Sequence, residues 1–445
     1  MTSLSTSCSD MTVPTLYWLP KLHKNPFKFR FISASSKCST TNLSKLLTNA
    51  LTTIKTLVTN FCKKCYENNG VNYFWSVKNS FEVLDRLNNA QTSYDSIDSY
   101  DFSTLYTTLP HKLIKEKLAY LIEWSFNKSG NDFLCCNFYN AFFSDEKRNK
   151  YTNWTCADMI KAVNFLLDNI FVRFGTTVYR QKVGIPMGTN CAPLIADLFL
   201  YCYESQFMAK LLKDPTKIDL VQEFNNTFRY LDDILTLNNP DFGNFVKDIY
   251  PEELKLIKSN NNSSHTPFLD LDITIENGSL ITKIYDKRDD FNFPIVNFPF
   301  LDGDIPIAPS YGIYISQLVR FARICSNISD FNERNLYLTN KLLHQGYRYH
   351  RILKTFSKFY YKYKSLLLKF KATCRFLIVK GISHPTFYGN IVYKIHKCKS
   401  QPFNLSKTLN RFIQKGYKYE IVIRSLRLVL SDDKVSEIVS TLRTN

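Results

Sequence analysis

The chain runs to 445 residues, 44% of them hydrophobic and 22% charged, with a formal net charge of +18. That length supports two or three lobes around a substantial core, and no apolar run reaches the roughly eighteen residues that a membrane span needs. The opening MTSLSTSCSDMTVP lacks the basic and apolar regions of a secretory signal, and the twelve Cys are scattered, which fits a reducing, intracellular compartment, nuclear or cytoplasmic.

In chain order, VPTLYWLPKLHKNPFKFRFIS (Val13–Ser33) reads as a basic, Pro-punctuated loop with a short strand. From Asn42 to Leu87 apolar residues recur at three and four (Leu43, Leu46, Leu47, Ala50, Leu51, Ile54, Val58), the period of a helix. Cys62 and Cys65 form a CKKC pair there, read as two incidental thiols on a helix surface. Ile97–Phe102 fits a strand, Leu105–Pro110 a turn and His111–Phe126 a helix. Asn131–Tyr151, polar and aromatic with a DEKRNK run, reads as an irregular insertion. Asp158–Asn169 is helical again, FVRFGTTVYRQKVGIPMG is a hairpin with a Gly/Pro loop, and Ala192–Lys210 is a helix. FRYLDDILTL predicts a tight hairpin tipped by acids, and FLDLDITIENGSLITKIY a second one around Asn277–Gly278.

After Pro309 the chain turns helical and basic, as a separate lobe. Arg334–Tyr419 contains no Asp or Glu but nineteen Lys and Arg, a surface that attracts polyanions. The aromatic content of 15%, with 35 Phe and 27 Tyr, can fill cores or offer flat faces to bases. Within the basic lobe, FNERNLYLTNKLLHQGYRY from Phe331 echoes FNLSKTLNRFIQKGYKY from Phe403. The echo fits either a duplicated helical unit or two similar helix–turn signatures.

Three carboxylates carry the chemistry. Asp101 ends a predicted strand, and Asp232 and Asp233 tip the YLDD hairpin. Hard oxygen ligands of this kind can bridge two Mg²⁺ about 4 Å apart, which aligns a 3′-hydroxyl on the α-phosphorus of a nucleoside triphosphate. Adjacent strand residues face opposite ways, so Asp232 is the better-placed ligand and Asp233 shares the site if the turn redirects it. Asp98 is expected on the other face of Asp101's strand or before that strand. Asp270 and Asp272 share a strand face and read as a solvated hairpin surface rather than as ligands.

LPKLHK (Leu19–Lys24), RFI (Arg30–Ile32), DFSTLYTTLP (Asp101–Pro110), QKVGIPMGTNCAPLIADLF (Gln181–Phe199), YLDD (Tyr230–Asp233) and FLDLDI (Phe268–Ile273) stand in the order found in reverse transcriptases. Over residues 16–370 the set resembles the Penelope-like retroelements of animals. The resemblance implies an α+β right-hand polymerase with an antiparallel-sheet palm, partial fingers and a helical thumb. The expected division is partial fingers over 1–95, palm with interleaved fingers elements over 96–295, basic thumb over 296–375 and a basic extension over 376–445.

By the same resemblance Asp101, Asp232 and Asp233 are the catalytic metal ligands. Arg30, Lys28, Tyr106, Gln181, Gly184 and Met187 are assigned to the nucleotide, with Tyr106 under the sugar as a steric gate. Lys21, Lys24, Gly188 and Tyr230 go to template and primer, and Lys255 or Lys258 to general-acid work on pyrophosphate. Gly184 and Gly188 are expected to let backbone approach the base pair. Two departures are RFI in place of RPI, and Asp197 where many relatives have Asn. YGIYI at Tyr311–Ile315 is not a GIY-YIG endonuclease signature, because no YIG segment follows it. The expected activity is RNA-directed DNA polymerisation, with two Mg²⁺ (Mn²⁺ as substitute), dNTPs, an RNA template and a DNA primer or RNA–DNA duplex, and no membrane. Alternatives are a catalytically inactive, retroelement-derived nucleic-acid-binding protein and an RNA-dependent RNA polymerase.

Overall fold

The computed structural model describes residues 12–21, 28–89, 93–291, 293, 295–301, 303–382, 395, 397, 402–414, 419–427 and 429–443. The fold mixes helices with mostly antiparallel sheets and divides into two compact units: Met1–Phe268 with Ile275–Ser279, and Leu269–Thr274 with Leu280–Asn445. Residues 1–95 and 96–268 therefore fall in one unit, and 296–375 and 376–445 in the other.

In the first unit, β1 (Thr15–Lys21) and β2 (Lys28–Ala34) pair antiparallel along their whole length, from Thr15↔Ala34 to Lys21↔Lys28. This is more strand than the prolines suggest. β7 (Phe171–Phe174) joins β1 only at Thr15, so Pro20 lies on an edge where its missing N–H breaks no ladder to a second neighbour. With β8 (Thr177–Arg180) these form a four-stranded sheet ordered β2-β1-β7-β8.

The long helical stretch splits into α1 (Thr41–Asn69) and α2 (Ser80–Asn89). Leu47, Ala50, Leu51, Ile54 and Val58 form the fully buried stripe of α1, and Gly70 ends it at φ 69°, a left-handed cap that only glycine adopts without cost. The stripe packs into one core with α4 (His111–Ser129), α5 (Cys156–Asp168) and α6 (Ala192–Leu212). The predicted turn after Asp101 contains a one-turn helix, α3 (Leu105–Thr108). The segment expected to be irregular is a small antiparallel sheet, β5-β4-β6, of β4 (Phe133–Cys136), β5 (Ala141–Ser144) and β6 (Thr152–Trp154). Leu134, Cys135 and Cys136 bury its central strand, and the polar DEKRNK run that masks the strand pattern fills the β5–β6 connection.

At the centre of the unit lies a second four-stranded sheet, β11-β3-β10-β9, all antiparallel: β3 (Ile97–Phe102), β9 (Thr227–Tyr230), β10 (Asp233–Leu237) and β11 (Leu256–Lys258). The short α7 (Ile218–Asn225) and α8 (Val246–Ile249) flank β9 and β10 in sequence, and β12 (His265–Phe268) follows β11. β13 (Leu271–Glu276) and β14 (Ser279–Ile284) meet at Asn277–Gly278, both at positive φ (50° and 73°), as Asn-Gly hairpins require.

The second unit is helical: α9 (Ile307–Ile324), α10 (Ile328–His344), α11 (Tyr349–Lys362), α12 (Lys364–Leu367), α13 (Cys374–Gly381), α14 (Pro402–Gln414), α15 (Tyr419–Arg427) and α16 (Asp432–Arg443). Its main core gathers Tyr314, Leu318, Phe331, Leu342, Ile352, Phe356 and Phe359; a separate one gathers Ile395, Leu405, Leu409, Phe412, Val422, Leu426 and Val435. The YGIYI string is interior to α9, with buried Tyr314 donating its hydroxyl to Asn335 at 2.6 Å. Among the described residues no helix is long and apolar enough to cross a membrane.

Candidate active site

Pairing decides which side chains meet. In the β3–β10 ladder Asp233 stands directly across from Asp101, followed by Ile234↔Tyr100, Leu235↔Ser99, Thr236↔Asp98 and Leu237↔Ile97. Residues opposite each other in an antiparallel pair share a face, with Cα atoms about 5 Å apart. The register Asp233↔Tyr230 adds Tyr230 to that face. Asp232 is in the two-residue loop between β9 and β10, and its carbonyl accepts from the Phe102 N–H at 2.9 Å. Asp101, Asp232 and Asp233 are thus placed at one end of the sheet. It is Asp233 that holds register with Asp101, and Asp232 that the turn redirects, the reverse of the order expected from alternation alone. The turn shortens the strand by a residue, and parity counted through it is lost.

That turn is held from below. Leu231 adopts φ 54°, a left-handed conformation that a two-residue hairpin normally gives to Asn or Gly. Its carbonyl accepts from Arg229 Nη1 at 3.4 Å. Arg229 faces the opposite side of the sheet from Asp233 and is fully buried. Its Nη1 donates to Asp197 Oδ1 (2.7 Å), its Nη2 to the Asp197 carbonyl (3.1 Å) and to Glu204 Oε2 (3.1 Å), and its Nε to Glu204 Oε1 (2.5 Å). Tyr250 donates to Glu204 Oε1 at 2.8 Å, and Lys55 Nζ reaches Asp197 Oδ2 at 2.6 Å. Two cations and two carboxylates therefore balance beneath the hairpin. Both acids come from α6, which is buried nearly all round, where an unpaired charge would be very costly. Burial pushes Asp197 up, but Arg229 and then Lys55 outweigh it and hold that carboxyl below its usual range. Glu204 is raised by its complete burial, against the pull of Arg229. The acid found where many relatives carry Asn thus has a partner in Arg229. Arg229, Glu204, Tyr250 and Lys55 escaped sequence reasoning; the signal was two acids seven apart in an otherwise uncharged stretch, Ala192–Glu204.

Tyr106, in α3, is half-buried, and burial, then Asp232, then Asp197 push its hydroxyl up to about 12. The Gly/Pro loop fixes its backbone: Ile185 N–H donates to the Tyr106 carbonyl (2.7 Å) and Gly184 N–H to that of Leu109 (2.8 Å). His111 Nε2 lies 2.7 Å from the Gly184 carbonyl. Gly184 has φ 80°, and a Cβ there would come within 2.4 Å of the Tyr106 carbonyl oxygen. Gly188 has φ 126°, and its Cβ would come within 2.0 Å of the Ser33 carbonyl oxygen. Beside it Met187 accepts from the Ser33 N–H (2.7 Å), and Ser35 Oγ donates to the Gly188 carbonyl (2.5 Å). Both glycines therefore use their freedom to dock this loop on backbone, Gly184 on Tyr106 and Thr107 and Gly188 on β2.

On β2, Arg30 opposes Leu19, and Lys28 opposes Lys21; Lys28 and Arg30 are exposed. Like charges facing each other repel, so the tip of this ribbon suits an anion. Trp18 and Phe29 pack on the other face, their ring centroids 4.9 Å apart and tilted by 37°. Lys24 lies outside the described residues. Gln181 turns its amide back on its own loop, donating to the Val183 carbonyl at 2.9 Å. The two lysine candidates separate: Lys258 opposes Tyr100 and pairs with buried Asp98 at 2.8 Å, on the sheet face away from Asp101. Lys255 is exposed just before β11, where its carbonyl accepts from Ser103 N–H (2.8 Å) and the strand's parity puts it with Ile257 on Asp101's side. Asp270 and Asp272 meet cations of the second unit, Arg320 at 2.6 Å and Lys283 at 3.5 Å. In the CKKC pair Cys62 is buried rather than on the surface, next to Tyr201, and burial raises its thiol to about 11, an inert state.

Among the described residues no three His, Cys, Asp or Glu side chains form a ready metal cage. Asp101 is exposed, and Asp232 and Asp233 are half-buried, at an open sheet end. Such an open set of hard oxygens fits Mg²⁺, which keeps several waters and takes one or two carboxylates together with substrate phosphates.

No protein-family profile matches the chain, and no curated protein matches it. Solved structures similar to it include apo telomerase from Candida tropicalis, with 14% identity over 96% of this chain and 69% of that one, at a TM-score of 0.44. Telomerase from Candida albicans in complex with a fragment of telomeric RNA matches with 15% identity over 99% and 68%, at 0.42. Against the C. tropicalis telomerase truncated of its C-terminal domain, the chain spans 56% of that structure's length, at 0.39.

Proposed function

We propose that this chain is an RNA-directed DNA polymerase of reverse-transcriptase type, extending a primer 3′-end with dNTPs. The observation that carries the reading is the register of Asp233 on Asp101, with Asp232 in the adjoining turn and Tyr106 close to it. Asp101, Asp232 and Asp233 would hold two Mg²⁺, with Mn²⁺ as substitute, which supply the charge neutralisation that activates the 3′-hydroxyl and releases pyrophosphate.

The chain's own side chains do the rest. Tyr106, its backbone fixed by Gly184 and Ile185, is a rigid ring under the incoming sugar and crowds a 2′-hydroxyl. Arg30 presents a planar fork to base and triphosphate, with Lys28 adding charge there and Lys21, opposite it, serving the template backbone. Lys255 is the candidate proton donor to pyrophosphate, since Lys258 is committed to Asp98. Nineteen basic residues without an acid over Arg334–Tyr419 supply the attraction for template and primer.

The test is dTTP incorporation on poly(rA)/oligo(dT) by the wild type, Asp101→Asn and Asp233→Asn. Activity should fall at least about 10³-fold in each variant, with unchanged circular dichroism, because charge stabilisation at the transferring phosphate is lost. Tyr106→Ala should narrow the preference for dTTP over UTP by roughly tenfold or more. A wild type without incorporation, or an Asp233→Asn variant equal to it, removes the enzymatic reading; salt-sensitive RNA binding would then remain as the activity.

A further inference from the structure

Ser33 of β2 is only 2% exposed, yet its Oγ has no hydrogen-bond partner. A buried hydroxyl left unmatched is costly and asks for a reason. Ser33 lines a cavity of about 290 Å³ that lies wholly within the first unit, together with Ser39, Thr40 and Thr189. Ser39 and Thr40 are the two residues before α1, a helix of 29 residues whose first turn has neither a side-chain cap nor an acid. The positive end of that helix therefore meets the cavity without a carboxylate to balance it. Hydroxyls and helix N–H groups are donors for an oxyanion, and among the described residues none that line the cavity is Asp or Glu.

The rest of the lining differs in kind, with Ile170, Phe171, Val178 and Pro186 presenting apolar surface. At about 30 Å³ per water, the 290 Å³ have room for about ten waters, well beyond a bare phosphate. An occupant thus needs an oxyanion at one end and a flat, weakly polar body, the two parts of a nucleoside monophosphate. It would also touch a seam in the fold. Ser33 N–H bonds the Met187 carbonyl at 2.7 Å, and Ser35, another lining residue, bonds the Gly188 carbonyl, so the cavity borders the place where the Gly/Pro loop docks on the strand of Arg30.

We propose that this cavity binds a nucleoside monophosphate unit, free or as part of a strand, at a site separate from the sheet end that carries Asp101. The phosphate is taken by Ser33, Thr40 and the start of α1, and the base or sugar by Phe171 and Val178. The inference stands apart from polymerisation, because binding is read directly and without metal.

The experiment titrates the full chain in metal-free buffer with AMP, adenosine and a short 5′-hydroxyl oligo(rA), using isothermal calorimetry. Location is read from Cys38, which lines the same cavity, through its rate of alkylation by iodoacetamide followed by mass spectrometry. AMP should bind about tenfold or more tighter than adenosine, the worth of hydrogen bonds to a charged group. It should slow alkylation of Cys38 but not of Cys65, which is also half-buried. Thr40→Asp puts a carboxylate where acids cap helices, so the melting temperature should hold or rise, while AMP affinity should fall about tenfold or more. Thr40→Ser should stay within about twofold of the wild type. Whichever of AMP and oligo(rA) protects Cys38 at the lower concentration identifies the source, a free nucleotide or a strand. Failure of both to protect Cys38, adenosine binding as tightly as AMP, or unchanged AMP affinity in Thr40→Asp overturns the proposal.

Discussion

At the residue scale, Arg229 carries a charge where water does not reach, and its burial is tolerable because Asp197 and Glu204 meet it from one helix. Arg229→Met is expected to lower stability by about 3–5 kcal/mol, since it strands buried carboxylates. Adding Asp197→Asn and Glu204→Gln should recover much of that loss; urea denaturation of the single and triple variants checks it, and a triple no more stable than the single would contradict the account. Asp286 makes a pH prediction. Burial alone would raise it, but hydrogen bonds from Arg288 and the charge of Arg334 outweigh burial and bring it down to about 2 from 3.8. A depressed carboxyl contributes stability above its unfolded value and loses it as pH falls toward the folded one. The urea midpoint should therefore drop between about pH 4 and pH 2, and Asp286→Asn should remove roughly 2 kcal/mol of that dependence. Asp101, Asp232 and Asp233 were legible as acids interrupting apolar strands. Arg229, one residue before Tyr230, interrupts the same strand, but which face it takes depends on a pairing that local sequence does not state.

At the element scale, the Gly/Pro loop after β8 ties two distant pieces of backbone together. Gly184 docks on Tyr106, Ile185 bonds the same carbonyl, and Met187–Gly188 runs beside Ser33 of β2. Gly188→Ala must move either the loop or β2, because its Cβ would be 2.0 Å from a carbonyl oxygen in a backbone conformation that side chains disfavour. A loss of about 2–4 kcal/mol is expected, larger than for an alanine on an open helix surface, together with incorporation reduced beyond the loss of folded protein. Gly175→Ala, at φ 61° with nothing within 4 Å, isolates the backbone cost and should lose only about 1 kcal/mol; thermal melts of the two variants that coincide would refute the docking argument. The glycines themselves were legible, as were the hairpins and the main helices, since turn chemistry and apolar period are local. What local sequence does not state is what stands behind them: the Cβ side of Gly184 faces the backbone of Tyr106 and Thr107, and that of Gly188 the backbone of Ser33. The β5-β4-β6 sheet was hidden for a related reason, its three short strands being outweighed by the polar turns between them.

At the scale of the whole molecule, charge is distributed unevenly along the chain. Residues 280–445 hold 28 Lys and Arg against 11 Asp and Glu, while residues 1–279 hold 29 against 28, so +17 of the +18 lies in the helical C-terminal part. The sheet end that carries Asp101, Asp232 and Asp233 thus belongs to a nearly neutral stretch, and the attraction for a polyanion comes from another part of the polypeptide. On the proposed polymerase reading, its two substrates should then respond differently to ionic strength. A template–primer gripped through six or more phosphates loses about 10³-fold in affinity between 50 and 200 mM salt, and its KM in primer extension should rise accordingly. A single dNTP, held mainly by short-range contacts at the sheet end, is screened far less, and its KM at saturating template–primer should move within about threefold. Steady-state titrations of each substrate at the two salt concentrations decide the matter. Parallel rises in both KM values would mean that the nucleotide, too, is held by long-range charge, and the separation of binding from chemistry drawn from this distribution would fail.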